Sequence, residues 1–279
     1  MALPVGRRRT LIAVLVLWAV LAAAFGAWDL PISRWAADPS SGWGRLVDRW
    51  GAFPGLLVTL WALLLLASGA LRGGGARDGA AGGLYTLLAM TALGYGGAVS
   101  AVNLGIPAAD VASKGWLIWL TAGAAAVVMV ILLVREGRPP TGRVRRAARA
   151  AFRLAVLDWL LFVQPAKLLW GRVRFYHLVP PDYTGFTPWY LPQGCTGHFS
   201  FPSGHTAMGW MLLPLLLLVS SRRPATRAAV GTAIIGWGLF VALGRVRYGA
   251  HFPSDVLFPT ALAAVIMLSE RPEDAPLRS

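Results

Sequence analysis

Long apolar runs separated by short basic connections limit what this chain can fold into more than any other feature. The runs lie at about Thr10–Trp28, Phe53–Leu71, Ala80–Val102, Trp116–Val134, Leu154–Trp170, Thr206–Ser220, Ala228–Leu243 and Pro253–Leu268. A helix that crosses the hydrocarbon core of a bilayer needs about 20 apolar residues. Only 14% of the chain is charged and 56% is hydrophobic, whereas soluble domains carry about 25% charged residues. The expected fold is all-α: a polytopic transmembrane helical bundle of about eight spans, or six if two runs are interfacial or re-entrant. The third run is rich in glycine (Gly82, Gly83, Gly94, Gly96, Gly97), which suits close helix packing in lipid. The chain reads as one integral membrane domain, with residues 1–150 as accessory spans and 151–270 as the core that carries the polar motifs.

A net charge of +14 raises the question of nucleic acid, but the basic residues sit mostly in short loops between apolar runs. The excess of Lys and Arg in cytoplasmic loops explains that pattern, and no nucleic-acid partner is expected. With eight spans and a cytoplasmic N-terminus, the cytoplasmic segments hold Arg7–Arg9, Arg72, Arg77, seven arginines from Arg135 to Arg153, Arg222, Arg223, Arg227, Arg271 and Arg278, which is 17 of the 26 basic residues. Both termini are then cytoplasmic, and the polar clusters described next face the outer side. Arg7, Arg8 and Arg9 before an apolar run resemble a signal peptide, but Trp28-Asp29 replaces a small-residue cleavage site, so the run reads as a retained first span. The lone Cys195 gives neither a disulfide framework nor a metal cluster. The segment Phe175–Phe201 holds four prolines and the aromatics Tyr183, Trp189 and Tyr190, and so reads as a non-helical loop at the membrane–water interface. Trp28–Trp50 has the same character and reads as a second outer loop.

Three polar clusters interrupt the apolar pattern. In the first, Lys167 and Arg174 are seven residues apart, two helical turns, so both can point the same way; a point charge and a planar fork together suit a phosphate. In the second, Pro202-Ser203-Gly204-His205, Ser203 is a favoured N-cap for the apolar run Ala207–Ser220. Gly204 allows close backbone approach, and a helix start with free N–H groups suits an anion. In the third, Arg245 precedes His251, and Asp255 follows four residues later with Pro253 between them. A carboxylate at that spacing reaches one imidazole nitrogen, fixes the tautomer and frees the other nitrogen to act. Together these are parts for phosphoryl transfer through a phosphohistidine: cations hold the phosphate, one histidine attacks phosphorus and a second protonates the departing oxygen.

Lys167-x6-Arg174, Pro202-Ser203-Gly204-His205 and Arg245-x5-His251-x3-Asp255 resemble the three-part signature of the type 2 phosphatidic acid phosphatase superfamily, which includes membrane lipid phosphatases, acid phosphatases and vanadium haloperoxidases. The resemblance covers roughly Leu154 to Leu268. It implies His251 as nucleophile, Asp255 as its orienting partner and His205 as general acid, with phosphate held by Lys167, Arg174, Arg245, Ser203 and the Gly204 backbone. The chain departs from the pattern twice: Phe175 stands where the family usually has proline, and Gly244 where it usually has serine. The second departure removes a hydroxyl that could contact phosphate.

The expected activity is hydrolysis of a lipid phosphate at the outer membrane face, on a substrate of the undecaprenyl diphosphate, phosphatidylglycerol phosphate or phosphatidate type. The alternatives are a lipid phosphotransferase using the same intermediate and a non-catalytic lipid-binding or transport protein. No cofactor or metal is implied, because the carboxylates show no metal-ligand spacing around His177, His198, His205 and His251. His177 and His198 read as exposed loop histidines. Asp158 lies inside the fifth run, is expected to pair with Arg153 or a nearby polar group, and is left out of the site.

Overall fold

The computed structural model describes residues 5–113, 115–137, 140–219 and 223–270. Arg138, Ser220, Arg222, Arg271 and Arg278, which enter the sequence reading above, lie outside the described residues. The long helices are α1 (Val5–Ala36), α3 (Phe53–Leu71), α4 (Ala76–Asn103), α6 (Gly115–Arg135) and α10 (Pro224–Arg247), with short helices α2 (Gly42–Trp50) and α5 (Ala108–Ser113) between them. A further rod joins α7 (Gly142–Leu154), a π-helical segment (Ala155–Val163) and α8 (Gln164–Trp170). α9 (Gly204–Trp210) and α11 (Pro253–Ser269) complete the set.

The architecture is the expected all-α bundle. Among the described residues, six helical stretches are long and apolar enough to cross a membrane: Gly6–Ala36, Gly42–Leu71, Ala76–Asn103, Gly115–Arg135, Gly142–His177 and Pro224–Arg247. Two shorter apolar helical stretches, Gly204–Leu218 and Pro253–Ser269, fall on the sixth and eighth apolar runs.

Three local expectations are corrected. The segment Trp28–Trp50 is mostly helix: α1 continues through Pro31 to Ala36, and α2 occupies Gly42–Trp50. α2 forms because Gly44 and Val47, one turn apart, are buried against the bundle while Arg45 and Leu46 face outward. The sixth run is not one continuous α-helix. Pro214 has no N–H, and its ring collides with the carbonyl four residues back, so α9 stops at Trp210 and the chain continues as a 3-10 turn over Leu213–Leu218. Asp158 makes neither expected contact: Arg153 pairs instead with Glu270 at 3.0 Å, and both Asp158 carboxyl oxygens are buried without a hydrogen-bond partner among the described residues.

α3 is the spine. One of its faces packs Val58 and Ala62 against Ala148, Ala151 and Leu154 of α7, Met208 and Trp210 of α9, and Ala263 and Ile266 of α11. The other face sets Leu63, Leu64 and Ala67 against Ala89 of α4 and Ala126 and Val130 of α6. Small residues set the approach distances. The backbone carbonyl of Met208 lies directly over Gly55, where a Cβ would stand, so α3 and α9 meet backbone to backbone. The Gly55→Val variant forces this crossing apart. It is expected to lower stability by about 1–3 kcal/mol, the usual cost of overpacking. Gly236→Ala, at an exposed helical site with open space around it, should leave stability unchanged or slightly raised. Thermal unfolding of the detergent-purified variants measures both.

Candidate active site

The elements that carry the site end or begin at one end of the bundle. α8 stops at Gly171, whose left-handed φ of 54° and tight contact with the Gly194 carbonyl and Thr196 leave no room for a side chain. The chain then runs out of the helix as Arg172-Val173-Arg174. Lys167 and Arg174 therefore reach the same cavity through a helix end and a turn, not through the two-turn helical spacing expected from sequence. Ser203 is the N-cap of α9, its hydroxyl accepting from the Thr206 amide at 3.3 Å and bonding the Thr206 hydroxyl at 2.9 Å. Gly204 and His205 open that helix. Pro253 sits in the first turn of α11, so Asp255 is placed at the helix start, where its carboxylate accepts the Phe252 amide at 2.9 Å.

These ends enclose a cavity of about 320 Å3 lined by Lys167, Arg174, Gly204, His205, Arg245 and His251. Its other wall is largely apolar, with Phe53 and Leu56 of α3, Tyr95 and Val99 of α4, Trp159 and Met208, and Arg49 as a further cation. Of the expected site residues, Ser203 and Asp255 stand behind this wall, both fully buried. His177 and His198 are exposed and do not line the cavity.

His251 Nδ1 lies 3.5 Å from Asp255 Oδ2, a close approach longer than a well-formed hydrogen bond, and Nε2 is the nitrogen on the opposite side of the ring from Asp255. Burial holds the His251 imidazole down to about 3, against the pull of Asp255, and the cations Arg245 and Lys167 add to the depression. The ring is therefore neutral, as an attacking nitrogen must be. His205 Nε2 lies 2.9 Å from the backbone carbonyl of Asp48; a carbonyl only accepts, so this nitrogen carries the proton and Nδ1 is the other face of the ring. The Asp48 carboxylate also pairs with Arg245. Arg245 Nε is buried with no partner among the described residues, leaving a donor for an anion. Lys167 Nζ donates to the Phe199 carbonyl at 2.8 Å.

Five residues escaped the sequence reading of the site: Asp29, Asp48, Arg172, Ser200 and Ser254. Arg172 is the centre of this group. Its Nη1 donates to Asp255 Oδ1 at 2.6 Å and to Ser254 Oγ at 2.8 Å, its Nη2 to Asp29 Oδ2 at 2.9 Å, and its Nε to the Thr187 carbonyl at 2.8 Å. Ser200 Oγ donates to Asp255 Oδ2 at 2.5 Å. The guanidinium stacks 4.0 Å from the Phe252 ring centre. The position of Arg172 inside the first motif was the one available signal; Asp29 and Asp48 lie in no motif. Gly244, by contrast, has a structural reason for not being serine: Val47 of α2 sits 2.7 Å from where its Cβ would stand.

A bundle of membrane-length helices marks a multi-pass membrane protein, and two histidines and four cations around one cavity make a site whose charge suits an anion. Residues 146–270 match the PAP2 superfamily, so the C-terminal part of the chain is a PAP2 superfamily domain. Among curated proteins, the chain is 42% identical over 73 residues to phosphatidylglycerophosphatase B of Haemophilus influenzae, an alignment covering 24% of this chain and 30% of that protein. It is 30% identical over 116 residues to lipid A 4'-phosphatase of Francisella tularensis subsp. novicida, covering 39% of this chain and 51% of that protein. The alignments thus span about half or less of these curated relatives. No solved structure matches the chain.

Two outcomes follow from the site. Arg172→Ala leaves the carboxylates of Asp29 and Asp255 buried without their shared cation, and is expected to cost about 3–5 kcal/mol of stability, read by denaturant titration. His251, near 3 in the fold and 6.5 by its ordinary value, takes up a proton in the unfolded chain first as pH falls. Its contribution to stability is complete above about 6.5 and declines toward 3. Unfolding curves across that window should show a slope that flattens in His251→Gln.

Proposed function

We propose that this protein is a membrane lipid phosphate phosphatase, hydrolysing a phosphomonoester or diphosphate of a lipid through a phosphohistidine on His251 at the outer face of the cell membrane. The observation that carries this reading is the meeting of His251, His205, Lys167, Arg174 and Arg245 in one cavity whose remaining wall is largely apolar. Charge alone would suit any anion; the apolar wall from α3 and α4 suits a phosphate attached to a hydrocarbon. The relatives named for phosphatidylglycerol phosphate and lipid A phosphate point the same way. Among substrates, the undecaprenyl diphosphate type is the first choice and the phosphatidylglycerol phosphate and phosphatidate types follow. The outer-face assignment rests on the basic loops at the opposite membrane end.

In the proposed reaction, Lys167, Arg174, Arg245 and the Gly204 backbone hold the phosphate oxygens and neutralise charge as it builds. Ser203, its hydroxyl engaged as the cap of α9, contributes by placing Gly204. His251 Nε2 attacks phosphorus: a P–N bond forms, the P–O bond to the lipid breaks, and Asp255 steadies the imidazole as it becomes positive. On binding, the monoanionic phosphate passes its proton to His205 Nδ1, making the ring an imidazolium whose Nε2–H stays on the Asp48 carbonyl; this Nδ1 proton then goes to the departing lipid oxygen. Water then attacks the phosphohistidine, a P–O bond forms as P–N breaks, and the water proton returns to His205.

The test is phosphate release by detergent-purified protein from undecaprenyl diphosphate, phosphatidate, phosphatidylglycerol phosphate and a soluble phosphate ester, with EDTA present throughout. Lipid-dependent release is expected, and His251→Ala should reduce it by at least about a hundredfold, the scale at which losing a nucleophile or general base is felt. No release from any substrate by folded protein contradicts the hydrolase reading and brings phosphotransfer or lipid binding forward.

A further inference from the structure

The rod Gly142–Trp170 carries Lys167 near one end and an arginine cluster at the other. From Arg149 to Lys167 is about 27 Å at helical rise, close to the thickness of the hydrocarbon core. At the arginine end lies a second cavity of about 570 Å3, lined by Arg72 at the end of α3, Arg145, Arg149 and Arg153 of α7, and Asp78 of α4. Its apolar side includes Leu65, Tyr85 and Phe152, with the Tyr85 and Phe152 rings edge to face at 5.2 Å.

Local pairing does not account for this charge. α7 has five arginines and no acidic residue. Its alanines at 147, 148, 150 and 151 are fully buried, which turns the guanidinium groups toward the helix's other side. Arg153 pairs with Glu270 at 3.0 Å and Arg72 donates to the Leu133 carbonyl, leaving Arg72 Nε buried with no partner among the described residues. Among the described residues, Arg145, Arg149 and Asp78 take part in no ion pair. Four guanidinium groups thus line the hollow with one carboxylate, Asp78; Glu270, which holds Arg153, does not line it. Preference for basic cytoplasmic loops puts arginines at this membrane end, but it does not require them to line a cavity with an aromatic and aliphatic wall. A guanidinium fork matches phosphate oxygens, and a basic pocket between membrane helices with an apolar side suits a phosphate headgroup whose hydrocarbon continues into the bilayer.

We propose that this cavity is a binding site for the phosphodiester headgroup of an anionic membrane phospholipid, on the membrane face opposite the catalytic cavity. It does not depend on the phosphatase reading. Delipidated protein in neutral detergent is titrated with dioleoyl phosphatidylglycerol, dioleoyl phosphatidylcholine or inorganic phosphate, with bound lipid read by native mass spectrometry and thermal shift. Phosphatidylglycerol should bind and raise the melting temperature, while phosphatidylcholine and inorganic phosphate should not. The double variant Arg145→Gln/Arg149→Gln should weaken phosphatidylglycerol binding on the order of tenfold, while Lys167→Gln should leave it in place. Equal binding of the two lipids by wild-type protein overturns the proposal without recourse to any variant. So does a matching shift with inorganic phosphate, undiminished binding by the double variant, or loss confined to Lys167→Gln, which would assign the lipid to the catalytic cavity. If the double variant does not fold, Arg149→Gln alone carries the same comparison.

Discussion

One buried cation holds the site together. Arg172, 1% exposed, joins Asp29 of the first helix to Asp255 at the start of the last, and reaches Ser254 and the loop carbonyl of Thr187 on the way. Burying a guanidinium is tolerable only when nearly every donor is satisfied, and here that condition is met. The consequence is mechanical: Asp255 is fixed by Arg172, Ser200 and the Phe252 amide, and His251 is in turn set beside a carboxylate that has nowhere else to go. The consequence is also electrostatic. Asp255 lies beside His251 Nδ1, so positive charge developing on the imidazole in the proposed attack meets a carboxylate on that side, while Arg245 and Lys167 help keep the resting ring neutral.

The second half of the cavity depends on α2. This helix is seated by Val47 against Gly244 and brings Asp48 to two site residues at once, the carboxylate to Arg245 and the carbonyl to His205. The space that a serine would take at position 244 is occupied by Val47, so the departure from the usual pattern and the presence of α2 are one adaptation. The first helices, which show no motif of their own, thereby contribute Asp29, Asp48, Arg49 and the apolar wall of Phe53, Leu56, Tyr95 and Val99.

What could be read from the sequence was whatever depends on local pattern. The apolar runs marked the long helices; Ser203 as cap and Pro253 in a first helical turn came from neighbouring residues alone. What could not be read depends on distant partners. Asp29 and Arg172 are 143 positions apart, and Asp48 and Arg245 are 197 apart; no spacing rule links them. Trp28–Trp50 looked like a loop because Pro31 and its aromatics resemble interface residues, yet packing against the bundle keeps that stretch helical. The helical argument for Lys167 and Arg174 missed the left-handed Gly171, which ends the helix and still delivers both cations to the cavity. Asp158 was expected to find a cation, and its natural candidate, Arg153, is held by Glu270.

The most direct test of the mechanism is to trap the covalent intermediate. Protein turning over a lipid labelled in its phosphate is quenched in alkali, where a phosphohistidine survives, and the labelled peptide is sequenced by mass spectrometry. The account predicts label on His251, lost on acid treatment and absent from His251→Ala. Label on any other residue, or sustained turnover with no trapped phosphate under conditions that preserve a phosphoramidate, would contradict it.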